Sequence, residues 1–398
     1  MMNNTELQKI ADEYGTPAFL FDTDELRERV KNIRNILNDG QDKIGLCYSI
    51  KANPFLIPSL IDAVDKLEVC SPGELKICKF YKVPPEMIIY SGVHKEEEDI
   101  KEAIEYGTAI ITAESIRHYE LICDISHELG TKVKIILRLS SGSQFGMSLK
   151  DIEYILKVNK DNEFISIDGL HYFAGTQREK LKHQRKELAT LKDVFKELRE
   201  KYDLPLSWFE YGPGFAYPYF EGEDFSDTLR PVKELAGDLR EAAEGCDLTV
   251  EMGRFIASSC GFYLSRVCDI KNSHDNSWVI IDGGINHINY FGQMMGMRTP
   301  VIITLTKHES TELNNTFEHE GNQTLCGSLC TTNDIVLRNY SNCRLSIGDV
   351  LVFCNIGAYS ITEGINLFLS RDMPIVLVKR DGIITKVRDV TETWRLNS

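Results

Sequence analysis

Eight short apolar runs separated by amphipathic stretches, all within residues 44–253, constrain this chain more than any other feature. They are IGLCYSIK, LEVCS, MIIYSG, AIITAE, VKIILRL, IDGLHYF, WFEYG and LTVEMG, each of strand length and rich in β-branched or aromatic residues. PGELKICKFYK, HKEEEDIKEAIEYG, SIRHYELICDISHELG and REKLKHQRKELATLKDVFKELREKYD lie between them, with apolar residues at helical spacing and charge on the other face. KEEEDIK is a solvated helix face and nothing more. Strand and helix alternating in this number is what closes a parallel barrel. The sequence therefore predicts an α/β protein with a (β/α)8 TIM-like barrel over residues 26–254. Past residue 255 the pattern changes to FYLSRVCDIK, SWVIIDGG, PVIITLTK, DIVLRNY, DVLVFCNIG and MPIVLVKRDG, strands divided by turn residues with little helical period. That segment, 255–398, is expected to form a C-terminal all-β domain, joined by the strand-like TPAFLFD of residues 1–25. Two domains suit a chain of 398 residues.

A formal charge of -15 argues against nucleic acid or an anionic membrane as the main partner, so a bound phosphate must be held by local geometry. The start, MMNNTELQKIADEYG, lacks the basic and apolar regions of a secretory signal, and no apolar run is long enough to span a bilayer. The 11 cysteines are scattered and never spaced CxxC, the nearest pair being Cys326 and Cys330 in CGSLC. With no HExxH present, this reads as a cytoplasmic protein with reduced thiols and no metal site, and His319 in FEHEGN is expected in a polar loop. YFGQMMGM reads as a packed or mobile loop.

In such a barrel the chemistry gathers at the C-terminal strand ends. Here these carry Lys51, Ser71 in CSPGEL, Arg138, then FAGTQ with Thr176, YGPGF and EMGR. Lys51 follows a run that reads as a buried strand. It is either a strand end whose amine reaches water or an amine kept partly dry for Schiff-base chemistry. GPG alone is a tight turn and EMGR alone a loop ion pair. Together, a lysine, Glu251, Arg254, Thr176 and two glycine turns exposing N–H groups match the needs of pyridoxal 5′-phosphate.

With those residues in view, the chain resembles, over nearly its whole length, the pyridoxal-phosphate decarboxylases of the alanine-racemase-like fold, the diaminopimelate and ornithine decarboxylase family. The matching motifs are YSIKAN, CSPGEL, SQFGM, HYFAGTQ, YGPGF, EMGRF, DGGIN, GSLCTTND and IGAYS. The resemblance implies that Lys51 forms the internal aldimine and that Glu251 bonds the pyridine nitrogen. Gly212, Gly214, Gly253, Arg254 and Thr176 would hold the phosphate, with Arg138 beside the ring and Phe173 stacked on it. It also implies a homodimer with shared active sites, in which Cys330 of a second subunit lies near Cα and Tyr359 reaches the phosphate. A carboxylate opposite the ring nitrogen keeps the electron sink strong through a quinonoid intermediate and so favours decarboxylation, whereas racemases of this fold place an arginine there. A thiol at Cys330 suits the single reprotonation that follows, although a buried cysteine is otherwise inert packing.

Several motifs depart from the family pattern. Phe173 occupies the place of the usual ring-stacking histidine, so stacking survives and a proton relay there does not. His171 is expected on the opposite face of that strand. Pro213 supplies no N–H to the phosphate loop, which shifts weight to Arg254 and Thr176. The stretch after Gly284 lacks the arginine of diaminopimelate decarboxylases, and Thr331 follows Cys330 where they carry an acid. Diaminopimelate is thus disfavoured, as are free ornithine and lysine unless Asp334 or Glu363 supplies a counter-charge. The pattern looks closer to the branch that includes the butirosin-pathway enzyme acting on a carrier-linked glutamyl group. An amino acid or carrier-linked conjugate losing its α-carboxylate is the expected substrate. A racemase, a diaminopimelate- or ornithine-type decarboxylase, and an inactive regulatory homologue are the alternatives.

Overall fold

The computed structural model describes residues 2–41, 43–203, 206–273, 276–306 and 322–398. His319 lies outside the described residues. Two compact units result: Arg27–Tyr217 with Ser226–Ile256, and Met1–Leu26 with Pro218–Phe225 and Ala257–Ser398.

The first unit is a closed barrel of eight parallel strands: Ile44–Ser49, Lys66–Val69, Ile88–Tyr90, Ile110–Ala113, Val133–Arg138, Ile165–Phe173, Trp208–Gly212 and Asp247–Met252. The last closes on the first in the register Ile44↔Leu248 through Tyr48↔Met252. Their apolar character follows from burial on both faces, by lumen and helices. Local chemistry sets where helices start and stop. Ser71 and Ser115 accept from the Glu74 and His118 N–H groups at their helix starts, and Ser148 with Asp151 forms a reciprocal cap. Gly107 ends the helix Glu97–Tyr106 at φ 84, a conformation that costs glycine nothing. Ser71 thus caps the helix that follows strand two instead of ending the strand.

The second unit holds a nine-stranded sheet among its described residues. Ala18–Asp22 lies in its middle, antiparallel to Gly261–Ser273 (Ala18↔Leu264) and parallel to Ile375–Arg380 (Ala18↔Ile375). Leu7, Leu20, Leu264, Val352 and Leu377 belong to one buried cluster there. Two strands escape the sequence pattern, Asn322–Cys326 and Ile383–Arg388. The first begins with polar residues. The second is an edge strand, mostly exposed and carrying Lys386 and Arg388, so its side chains give no buried-strand signal. In YFGQMMGM, Met294, Met295 and Met297 are exposed.

Candidate active site

Lys51 lies just past the first barrel strand, in the 3-10 turn Ile50–Ala52. Its side chain is 39% exposed, and Nζ lies 2.6 Å from Glu68 Oε2 and 3.7 Å from Glu251 Oε1. Cys70 Sγ is 3.4 Å from the same amine, and burial holds that thiol well above its ordinary range. The amine therefore reaches solvent while two nearly buried carboxylates grip it.

Glu251 is the hub of a polar layer in the lumen. Ser49 Oγ donates to its Oε1 at 2.7 Å, and His171 Nε2 lies 3.2 Å from its Oε2. Burial alone would raise this carboxyl, but the Lys51 ammonium and His171 overcome it and hold the group well below the usual carboxylate range. His171 is 1% exposed. Burial works against its charged form, and Glu210 with Glu251 reverse that and leave the imidazole more basic than usual. Glu210 sits opposite His171 in the strand register. Its carboxyl oxygens have no hydrogen-bond partner, and neither does His171 Nδ1. Burial, opposed by His171 and reinforced by Glu251, pushes Glu210 up to about 8. The expectation that His171 faces away from Phe173 fails: the strand period of two puts residues 171 and 173 on one face, and they pair with Glu210 and Gly212 of the next strand.

This layer carries a stability signature. A carboxyl raised from 4.5 to about 8 on folding binds more protons in the native state, so its contribution is fully present below pH 4.5 and is lost as pH rises toward 8. Glu210→Gln, of the same shape and neutral at every pH, removes that loss. Its melting temperature at pH 8.5 is expected to exceed the wild type's by about 3 °C or more, with little difference at pH 5. Thermal melts at the two pH values check this.

Glycine turns line the strand ends above this layer. Gly214 has φ +61, and a Cβ there would lie 1.7 Å from the Gly175 carbonyl oxygen. At Gly212 a Cβ would meet Phe173 Cδ2 at 2.3 Å, so the phenyl ring packs directly on that glycine, and at Gly253 it would crowd Ala52 and Ser49. Thr176 Oγ1 is bonded to Arg254 Nε at 3.2 Å, joining the sixth and eighth strand ends. Arg138 Nη1 is 2.8 Å from Glu114 Oε1, a pair buried on both sides, and its guanidinium lies 4.9 Å from the Phe145 ring centroid. Gly214→Ala is expected to destabilise the fold by about 2–4 kcal/mol in urea melts, through strain plus the clash with Gly175.

In the other unit, Cys330 is an exposed free thiol and Tyr359 stands at φ 68 before the short helix Ser360–Glu363. Asp334 is 3% exposed and accepts from the N–H groups of Ile285 at 2.9 Å and Leu329 at 2.8 Å. Glu363 is exposed and accepts from Asn289. The residues not foreseen are Ser49, Glu68, Glu114 and Glu210. For Glu68 and Glu210 a signal existed, a carboxylate inside an otherwise apolar strand, LEVCS and WFEYG, the same anomaly that singles out Lys51.

The strand ends of this parallel barrel bring together an amine, an ionised carboxylate and glycine turns with a hydroxyl and a guanidinium, an arrangement able to hold a phosphate-bearing cofactor. The sequence profile of the pyridoxal-dependent decarboxylases, pyridoxal-binding domain, matches residues 23–258, and the chain belongs to that family. It is 24% identical to the L-glutamyl-[BtrI acyl-carrier protein] decarboxylase of Niallia circulans, over 97% of this chain and 94% of that one. It is 22% identical to the diaminopimelate decarboxylase of Aquifex aeolicus, over 96% and 91%. The crystal structure of diaminopimelate decarboxylase from M. jannaschii in co-complex with L-lysine superposes with a TM-score of 0.84 at 22% identity, covering 99% of this chain and 94% of that one. The protein is an amino-acid decarboxylase dependent on pyridoxal phosphate. The residues present fit that cofactor, since glycines stand where a Cβ would be blocked and an ionised carboxylate lies within reach of the lysine amine.

Proposed function

We propose that Lys51 anchors the cofactor and that the substrate is an amino acid whose far end is uncharged and joined to a carrier. When bound, pyridoxal phosphate supplies a ring that accepts the electron pair left when the α-carboxylate departs as CO2. The chain's own groups act around that chemistry. Glu68 and Glu251 orient the Lys51 amine, and Glu251 offers a fixed negative charge to the ring nitrogen. Gly212, Gly214, Gly253, Thr176 and Arg254 hold the phosphate, the last two already bonded to each other. Phe173 would offer the ring an apolar surface without a titratable atom, and Arg138, fixed by Glu114, would help to hold it. Cys330 and Tyr359 act from the second copy of a homodimer, the thiol returning one proton to Cα and the tyrosine meeting the phosphate. Eleven cysteines without a CxxC pair suit a reducing compartment, and we assign the enzyme to the cytoplasm.

The observation that carries the substrate reading is the burial of Asp334. Its carboxylate is taken up by two backbone N–H groups, so it gives no counter-charge to a distal ammonium, and Thr331 rather than an acid follows Cys330. The similarity to a decarboxylase of a carrier-bound glutamyl group points the same way. Incubation with a panel of free amino acids and carrier-linked aminoacyl thioesters, with CO2 measured, tests this. Release from the thioesters is expected, and rapid turnover of free diaminopimelate overturns the reading.

A further inference from the structure

The lumen layer beneath the proposed cofactor site contains a group that the reaction as described does not use. His171 is buried, bonded through Nε2 to Glu251, and flanked in the strand register by Arg138 on one side and Glu210 on the other. We infer that His171 is a positioning residue: bonded through Nε2 to Glu251, it fixes the orientation and negative charge of Glu251 toward the cofactor ring. This rests on the assignment of Glu251 to the ring nitrogen made above.

The need for such a group follows from the charges in the layer. Glu251 is 6% exposed, and an uncompensated carboxylate that deep would take up a proton. Lys51 compensates it at 3.7 Å, but Lys51 is the amine the cofactor engages. Among the described residues, His171 is the other cation-forming side chain bonded to Glu251. Ser49 Oγ fixes the second carboxylate oxygen, so with His171 both oxygens are held and the carboxylate cannot rotate. Every charged or titratable group facing the imidazole enters this balance. Glu210 and Glu251 favour its cationic form, whereas Arg138 and burial oppose it. Cys47 on the first strand is a buried neutral thiol, and Glu68 with Lys51 act on Glu210 and Glu251 from the second strand and the turn after the first. Glu210 and His171 also carry unpartnered polar atoms, Oε1, Oε2 and Nδ1, on neighbouring strands.

The test uses holoenzyme and three readouts: the pH dependence of the cofactor's visible absorbance, the pH profile of kcat, and the histidine ring NMR signals of isotope-labelled protein. In wild type the visible band is expected to hold its position from pH 6 to 8. His171→Gln keeps a hydrogen bond to Glu251 but carries no charge. Its acid limb is expected to move up by about one pH unit, a tenfold loss of kcat near pH 6, with KM changed less than twofold. Glu210→Gln is expected to lower the pH at which His171 loses its proton and to shift the alkaline limb down, and it serves where His171→Gln does not fold. A His171 ring signal of neutral imidazole at pH 7 in wild type overturns the inference. So does an unchanged pH profile in a folded His171→Gln holoenzyme. Wild-type protein that takes up no cofactor or releases no CO2 refutes the underlying assignment instead, and the NMR readout still judges the charge state of His171.

Discussion

Lys51→Ala is expected to lower kcat by about four orders of magnitude and to give a protein that stays colourless when pyridoxal phosphate is added. The magnitude is that of removing a covalent nucleophile whose neighbours cannot substitute for it. A buried lysine near the site, Lys95, is committed to the Gly92 carbonyl, and burial draws its amine down to about 8. The alanine variant also leaves Glu68, 2% exposed, without its ion partner, so part of any loss could arise from unfolding. Lys51→Arg separates the two effects, because it keeps a cation beside Glu68 and Glu251 but has no amine to condense with an aldehyde. A folded, colourless and inactive Lys51→Arg is the expected outcome. Retention of the visible band in either variant places the anchor elsewhere.

The second large effect belongs to Glu251. Glu251→Gln preserves the shape of the side chain and the bond from Ser49, while removing the negative charge proposed to face the ring nitrogen. A fixed charge lost from a water-poor site costs about 10²–10³ in rate, and a drop of that size in kcat is expected with cofactor still bound. The variant also strips His171 of the carboxylate that helps keep it protonated, so the imidazole is expected to titrate at lower pH than in wild type. Steady-state kinetics alongside absorbance spectra check both parts. A Glu251→Gln enzyme with wild-type kcat removes the electrostatic role from the account.

The barrel was legible because all eight strands are sandwiched between lumen and helices, so their apolar runs stand out against amphipathic helical stretches. The β domain was less so. Its edge strand Ile383–Arg388 is solvent-facing and its strand Asn322–Cys326 is polar at the start, and neither makes the contrast on which pattern reading depends. At the site, motif spacing led to Lys51, Glu251, Arg254 and the glycine turns, which the fold gathers at the strand ends. It did not lead to Glu68, Glu210 or Glu114: a lone carboxylate in or just after a strand stands out as an anomaly, but its partner is set only when the barrel brings it beside a lysine, a histidine or an arginine from far along the chain. The mistaken orientation of His171 had a simpler cause, as residues two apart on a strand share a face.

The central claim is that a single amine, Lys51, carries the cofactor. Borohydride reduction of the holoenzyme converts an imine C=N bond into a stable amine, after which proteolysis and peptide mass spectrometry locate the attached pyridoxyl phosphate. The account predicts that mass on the peptide containing Tyr48–Asn53, at Lys51, in near-stoichiometric amount. The same mass on another lysine, or on none, contradicts it.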